Sequence, residues 1–221
     1  MALAQKGITF RAEGGVAASY LQSREKVTNL SARILPHIGM YVLIPIEGRF
    51  SLKTGLGYEQ KGWKARSADA DSSDDIRHEY TIATLLHTIH IPLQICYTIR
   101  KGKALSYAVA GGMSYNVFYE AENEWTIDTY HRERFLQTQT LYWNPTIALV
   151  PDDSRFKNSF DNTSFYRFNT AFRAEASIIW KSRYSLDIFW ERGLQQIFAS
   201  AGNTASQRLG YSGIALGINL R

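Results

Sequence analysis

Cysteine and long apolar runs are what this chain most clearly lacks. Cys96 is the one cysteine among 221 residues, so no intrachain disulfide can form. No apolar stretch approaches the roughly 20 residues that a spanning helix needs, which excludes a helical membrane protein. The net charge is +5, but the basic residues are scattered rather than clustered, so nucleic acid is not expected as a partner.

Strict alternation of large and small or charged residues is what the chain has instead. Successive side chains of a strand point to opposite faces, so residues 50–60 would have one apolar face and one polar face. The pattern recurs in residues 8–20, 105–119, 166–180, 184–191 and 214–220. The polar face is rich in Gly, Ala and Ser, which is typical of a crowded interior. A barrel with its apolar side toward lipid is therefore predicted, and a soluble barrel is the alternative.

Strand spacing defines the fold class more closely. The connections alternate between short turns at 46–49, 101–103 and 181–183 and longer stretches at 21–31, 64–77, 120–163 and 197–206. This predicts an all-β fold: an eight-stranded antiparallel up-and-down transmembrane β-barrel with short periplasmic turns and long extracellular loops. The eight predicted strands are residues 8–20, 32–45, 50–63, 78–100, 104–119, 164–180, 184–196 and 207–221.

Two segments qualify this scheme. Residues 120–163 form the longest loop, and they could instead extend the neighbouring strands as a hairpin or add two spanning strands. Pro145 and Pro151 disfavour regular spanning strands, so eight are retained. Ala2 and Ala4 resemble the end of a secretory cleavage site. Residues 1–7 are therefore interpreted as a signal-peptide remnant and lead-in to a single barrel domain, residues 8–221.

Outward aromatic residues fall near the predicted strand ends. Rings with a polar edge favour the membrane–water interface, so two girdles are expected. The girdle nearest the turns would contain Phe10, Phe50, Tyr97, Tyr107, Trp180 and Tyr184, and the one nearest the loops Tyr20, Tyr58, Tyr119, Tyr166 and Trp190.

Charged residues of both signs fall on the inward side of the predicted strands. The interior of an eight-stranded barrel is only wide enough to be filled by side chains, and buried charges of opposite sign should pair there. We expect an ion-pair plug that closes the lumen, with a proton or small-solute path as the alternative. The residues are Arg11, Glu13, Lys53, Glu59, Arg167, Arg173, Glu175, Asp187 and Glu191.

The long third loop carries the candidate binding surface. Exposed aromatic residues are frequent anchors for protein partners, although they could also fold over the barrel mouth as a lid. These residues are Trp125, Tyr130, Phe135, Trp143, Phe156 and Phe160. Basic loop residues could contact lipopolysaccharide phosphates or simply keep the loops soluble; they are Lys61, Lys64, Arg66, Arg132 and Arg134.

Catalytic, metal and cofactor sites are not predicted. His131 with Asp128, and His78 with His87, lie near the loops, but no motif places a nucleophile beside them. The aspartates from Asp69 to Asp75 resemble the start of a calcium loop, yet the glycine and final glutamate of such a loop are missing.

Several segments together resemble the small outer-membrane β-barrel proteins of Bacteroidota, the group that includes the PorT-like proteins. The segments are residues 36–45, 50–63, 89–93, 108–112 and 181–186 with 193–194. The resemblance implies an outer-membrane location and a closed barrel but no shared activity. The end of the chain, Asn219-Leu220-Arg221, departs from the terminal aromatic residue usual in such barrels.

A non-enzymatic role follows as the expectation. The chain would be a structural, binding or accessory subunit of a cell-envelope assembly, with outer-membrane lipid, lipopolysaccharide and other envelope proteins as the candidate partners. A small-solute channel and a loop-sited lipid-modifying enzyme are the alternatives.

Overall fold

The computed structural model describes residues 7–22, 29–71, 76–102, 104–131, 133–143, 147–148, 165–197 and 207–220. The predicted lead-in, residues 1–7, lies outside this part of the chain except for Gly7. None of the described segments forms a helix long and apolar enough to cross a membrane.

Eleven strands are formed by the described residues. They are β1 (Thr9–Gln22), β2 (Leu30–Pro45), β3 (Phe50–Asp71), β4 (Ile76–Lys101), β5 (Leu105–His131), β6 (Arg134–Trp143), β7 (Ile147–Ala148), β8 (Phe165–Tyr166), β9 (Phe168–Trp180), β10 (Tyr184–Gly193) and β11 (Arg208–Leu220).

Eight of these strands close into an antiparallel ring. Its order is β1, β2, β3, β4, β5, β9, β10 and β11, and β11 pairs again with β1 from Phe10 opposite Leu220 to Gln22 opposite Arg208. Closure leaves no unpaired edge within the ring. The predicted eight-stranded barrel is confirmed, and within the described residues no further strand enters the ring.

Three short connections lie together at one end of the ring, which we call the turn end. They join β2 to β3, β4 to β5 and β9 to β10. Gly48 has a φ of 57°, a left-handed conformation that glycine adopts without steric cost, and this allows the β2–β3 chain reversal. The opposite end of the ring is called the loop end.

The outer surface of the ring is apolar, as the alternation predicts. Large side chains on this face are widely exposed, among them Ile34 (78 %), Leu216 (68 %) and Met40 (62 %). Aromatic rings predicted for the turn-end girdle pair on this surface: Phe50 lies 5.0 Å from Tyr97, and Trp180 lies 6.1 Å from Tyr184. Such a continuous apolar belt suits lipid rather than water.

Glycines on the inward face leave room for large side chains in the lumen. The Tyr41 ring lies across Gly39 and Gly57 on the lumen side, and a Cβ at position 57 would lie 2.6 Å from the Tyr41 hydroxyl oxygen. The ring can therefore lie flat against the wall only because these neighbours have no side chain.

The prediction of loops at residues 64–77 and 120–163 is wrong in part. Pairing of β3 with β4 continues to Asp71 opposite Ile76, and pairing of β4 with β5 continues to Ile76 opposite His131. β6 then pairs with β5. Thr and aromatic residues here suit a strand, and the paired backbone satisfies its polar groups above the ring. We call residues 64–71, 76–84, 120–131 and 134–143 the sheet extension.

Candidate functional site

Two clusters of ion pairs fill the lumen, and the first lies nearer the turn end. Lys53 Nζ on β3 lies 2.7 Å from Glu13 Oε1 on β1 and 2.9 Å from Glu175 Oε1 on β9. Arg11 adds weaker pairs with Glu13 at 3.6 Å and Asp187 at 3.5 Å. All five residues are buried, so each charge depends on these partners rather than on water.

The second cluster lies nearer the loop end. Arg173 Nη1 lies 2.8 Å from Glu59 Oε1 and 3.3 Å from Glu191 Oε2. Lys61 Nζ lies 3.0 Å from Glu59 Oε2 and also contacts Glu191. His90 Nδ1 lies 3.8 Å from Glu191 Oε2 and 2.7 Å from Ser114 Oγ.

His37 connects the two clusters. Its Nδ1 lies 3.0 Å from Glu59 and its Nε2 lies 4.0 Å from Glu13. Aromatic rings then fill the space beside the cations. Lys53 Nζ lies 4.5 Å from the Tyr41 ring centroid, and Arg173 Cζ lies 4.2 Å from that of Phe189. Cations near ring faces gain attraction where water is excluded.

Apolar side chains close the lumen beyond the second cluster, at the loop end. Trp63, Leu86 and Phe118 pack together there with exposures of 5 %, 0 % and 1 %. Leu21, Ala121, Ile197 and Leu209 complete this apolar cap. Ion pairs and cap together leave the middle of the barrel filled by side chains, which is the arrangement expected of a ring of this size.

Metal-ligating side chains occur in both clusters but are already paired with cations. Glu59, His90 and Glu191 have ligand atoms within 4.8 Å of one another, and so do Glu13, Glu175 and Asp187. Lys61 and Arg173 contact the first triplet, while Lys53 and Arg11 contact the second. These cations supply the positive charge that a metal would bring, so neither triplet is assigned as a metal site.

Two residues lie elsewhere than the sequence interpretation placed them. Arg167 lies between β8 and β9, half-buried, and forms no ion pair with the described carboxylates; the strand is interrupted there, so the alternation does not continue through it. Lys61 is 1 % exposed in the lumen rather than facing lipopolysaccharide. It shares the parity of Glu59 and lies within the predicted strand 50–63, so the alternation itself predicts its position in the lumen.

The sheet extension positions most of the aromatic residues predicted for a partner-binding loop. Trp125 and Tyr130 lie on β5, Phe135 is the second residue of β6, and Trp143 ends it. They belong to paired strands, which corrects the prediction of a loop, while Phe156 and Phe160 lie outside the described residues. The exposed apolar residues on β6 also include Leu136, Leu141 and Tyr142, which the sequence interpretation missed.

The side chains considered for catalysis are not assembled. His131 and Asp128 are three residues apart on one strand and so face opposite sides, and Asp128 Oδ1 instead accepts a hydrogen bond from Thr138 Oγ1. His78 pairs with Thr129 at 3.2 Å. His87 lies on the outer face, 2.8 Å from the Tyr58 hydroxyl and 3.3 Å from Glu122.

Comparisons with known proteins agree with this geometry. The family model described as "Outer membrane protein beta-barrel domain" matches residues 3–199. No curated protein matches the chain.

The chain is also similar to solved structures of low sequence identity. Neisserial surface protein A is 10% identical, with 97% of this chain and 100% of that chain covered and a TM-score of 0.42. Ail, the attachment invasion locus protein of Yersinia pestis, is 9% identical, with 96% and 98% covered and a TM-score of 0.37. At these values the likenesses carry no argument about function.

Proposed function

The chain belongs to the outer membrane protein beta-barrel domain family, and we propose that it is a closed, non-enzymatic barrel acting as a binding or accessory subunit of a cell-envelope assembly. Its location is the outer membrane, with the turn end toward the periplasm and the sheet extension outside the cell. The resemblance of its segments to the Bacteroidota PorT-like proteins is part of the same proposal.

The filled lumen argues against transport through the barrel. A permeating ion would have to separate pairs such as Arg173 and Glu59, which are buried from water, and then displace the packed rings of Trp63 and Phe118. Both steps are costly in a low-dielectric interior. A small-solute channel is therefore not favoured.

The exposed edge of strand β6 is the main support for a binding role. It is bonded on one side to β5 and ends the sheet among the described residues. Its apolar side chains are largely exposed: Phe135, Leu136 and Leu141 at 53 % each and Tyr142 at 76 %. Proteins usually protect such an edge with charge, proline or a covering element, but β6 carries Arg134 as its one charged residue and no proline.

An extended segment of another envelope protein fits this edge. Strand addition supplies backbone hydrogen bonds, and alternate side chains of the edge strand provide specificity. Lipopolysaccharide is proposed as a second partner through Arg66 and Lys64 at the base of the sheet extension, where guanidinium and ammonium groups can meet phosphate.

Catalysis is not part of the proposal. His131, Asp128, His78 and His87 each have different partners or faces, so none of them forms the hydrogen-bonded nucleophile and base that acyl transfer needs.

A photo-crosslinking experiment tests the binding role. A crosslinking amino acid at position 142, on the exposed edge, is expected to capture a defined protein in native membranes. The same amino acid at position 10, on the outer face near the turn end, is the matched control. Equal products at both positions, or none at position 142, would contradict the proposal.

Conductance measurements test the closed lumen separately. The purified barrel in planar bilayers is expected to give no steady single-channel steps. Steps that change when Arg173 is substituted would instead show a path through the lumen and favour the channel.

A further inference from the structure

The turn end of the barrel contains a cavity that the proposed function does not use. Its volume is about 650 Å³, within the range of roughly 300–1,000 Å³ common for ligand sites. Small hydroxyl and thiol side chains on inward positions create the space. They include Thr9, Ser51, Cys96, Thr98, Ser106 and Ser177.

The floor of this cavity is the first ion-pair cluster. Arg11 and Glu175 line it, and both are held by other lumen residues: Arg11 Nε donates to Asn219 Oδ1 at 2.8 Å, and Glu175 accepts from Lys53. The floor is therefore closed by side chains that are already paired with one another. A ligand must enter from the periplasmic side.

The mouth of the cavity is cationic. Arg49, from the β2–β3 turn, and Lys101, at the end of β4, both line the cavity and are exposed. Arg49 is held in place because its Nη1 donates to the Ile99 carbonyl oxygen at 2.9 Å. Among the described residues, neither side chain forms an ion pair.

Other cations of the turn end have a different role. Lys181 Nζ lies 5.0 Å from the Trp180 ring, and Arg183 Cζ lies 5.5 Å from the Tyr184 ring. These rings belong to the outer aromatic girdle, so the two cations lie beside lipid-facing residues. Among the exposed cations of the described residues, Arg49 and Lys101 are thus the two that line the cavity.

We propose that this cavity, which we call the periplasmic vestibule, binds an acidic peptide segment of a periplasmic partner. Carboxylates of the segment pair with Arg49 and Lys101 at the mouth, while the hydroxyl-lined wall exchanges hydrogen bonds with peptide N–H and C=O groups. The closed ring of strands separates the inward lining residues Ser51, Ser106 and Ser177 from the bilayer, which favours a peptide over a lipid headgroup. The inference rests on the proposed role as an assembly subunit, and it adds a second contact on the opposite side of the membrane from β6.

The native cysteine provides the test. In the purified barrel in detergent, Cys96 is labelled with a small maleimide while a peptide of four Glu-Ser repeats is added. The peptide is expected to slow labelling at least tenfold, and a Gln-Ser peptide of equal length is expected to leave the rate unchanged. Protection should disappear near 1 M salt, where screening acts over about 3 Å.

Paired variants identify the cations responsible. Arg49→Gln with Lys101→Gln should abolish protection, whereas Lys181→Gln with Arg183→Gln removes the same charge from the neighbouring turn and should retain it. Equal protection by the acidic and neutral peptides, or loss of protection in both double variants, would overturn the proposal.

A second reporter covers the case in which Cys96 reacts too slowly. Thr98→Cys in a Cys96→Ser background places the thiol on the same wall at a half-exposed position. If neither thiol reacts, the vestibule is closed to solutes and the inference is wrong. Crosslinking at position 142 tests the opposite end of the barrel. Its failure would contradict the proposed binding role of β6, whereas failure of the labelling experiment would contradict the vestibule alone.

Discussion

Lys61 and Glu191 join opposite walls of the barrel. Their strands, β3 and β10, are four apart in a ring of eight, yet the ammonium group of Lys61 contacts the carboxylate of Glu191. A single pair of side chains therefore bridges the lumen at this level. Asn116 joins the same contact, since its Nδ2 donates to Glu191 Oε1 at 3.0 Å.

Removal of the Lys61 charge should destabilise the barrel strongly. Lys61→Met removes the ammonium group that contacts both Glu59 and Glu191 and leaves Arg173 as the one cation paired with both. Breaking a buried pair from one side costs about 3–5 kcal/mol. Urea unfolding in micelles measures the change. Lys64→Met, three positions along β3 and half-buried, should change the free energy of unfolding by less than about 1 kcal/mol; similar values for the two variants would contradict the plug.

A methyl group at Gly57 should also be destabilising. Its Cβ would lie 2.6 Å from the Tyr41 hydroxyl oxygen, and forcing the ring away should cost about 1–3 kcal/mol. Gly111→Ala is the matched control, because no atom lies within 4 Å of a Cβ there. The same unfolding assay applies, and an unchanged midpoint for Gly57→Ala would mean that Tyr41 does not lie against the wall.

Partner capture at β6 should depend on its apolar side chains. Phe135→Ser with Leu141→Ser removes two exposed anchors and should reduce crosslinking from position 142 at least tenfold, as expected for anchor residues worth more than about 1 kcal/mol each. Gln137→Ser with Gln139→Ser changes the same strand without removing apolar area. Equal yields from the two double variants would argue against an apolar contact.

Tryptophan fluorescence should report the lipid-facing surface. Trp180 and Trp190 are 50 % and 39 % exposed on the outer face, whereas Trp63 is 5 % exposed in the apolar cap. In single-tryptophan variants reconstituted with brominated lipid, Trp180 and Trp190 should be quenched and Trp63 should not. Quenching of Trp63 would show that the apolar cap opens to the bilayer.

The barrel could be predicted from sequence because strand parity is a local property. Asp187 lies between Leu186 and Ile188, and this alternation alone places its carboxylate inside the barrel and the two apolar side chains outside. Local pattern does not give the partners, however: Lys53 meets Glu13 and Glu175, which are 40 and 122 residues away. Those pairs depend on the register of the closed ring.

The sheet extension is only one of the alternatives that the sequence leaves open for residues 120–163, for a different physical reason. Residues 64–77 are largely polar, and residues 120–131 carry four carboxylates among few apolar residues, so their composition is typical of a loop. Their strand structure comes from pairing with each other, as in Trp125 opposite Ile82 and Leu141. Lys61 needs no such pairing argument, since it lies inside the predicted strand 50–63 on the inward parity of Glu59.

Unequal strand lengths give the protein a tall side and a short side. β5 has 27 residues, whereas β10 has 10 and β11 has 13. At about 3.4 Å per residue, residues 120–131 alone add roughly 40 Å along the strand direction. Among the described residues, the strands on one flank thus extend well beyond the ring, while those on the other flank end near it. A partner approaching from outside the cell would reach the sheet extension before the lipid surface.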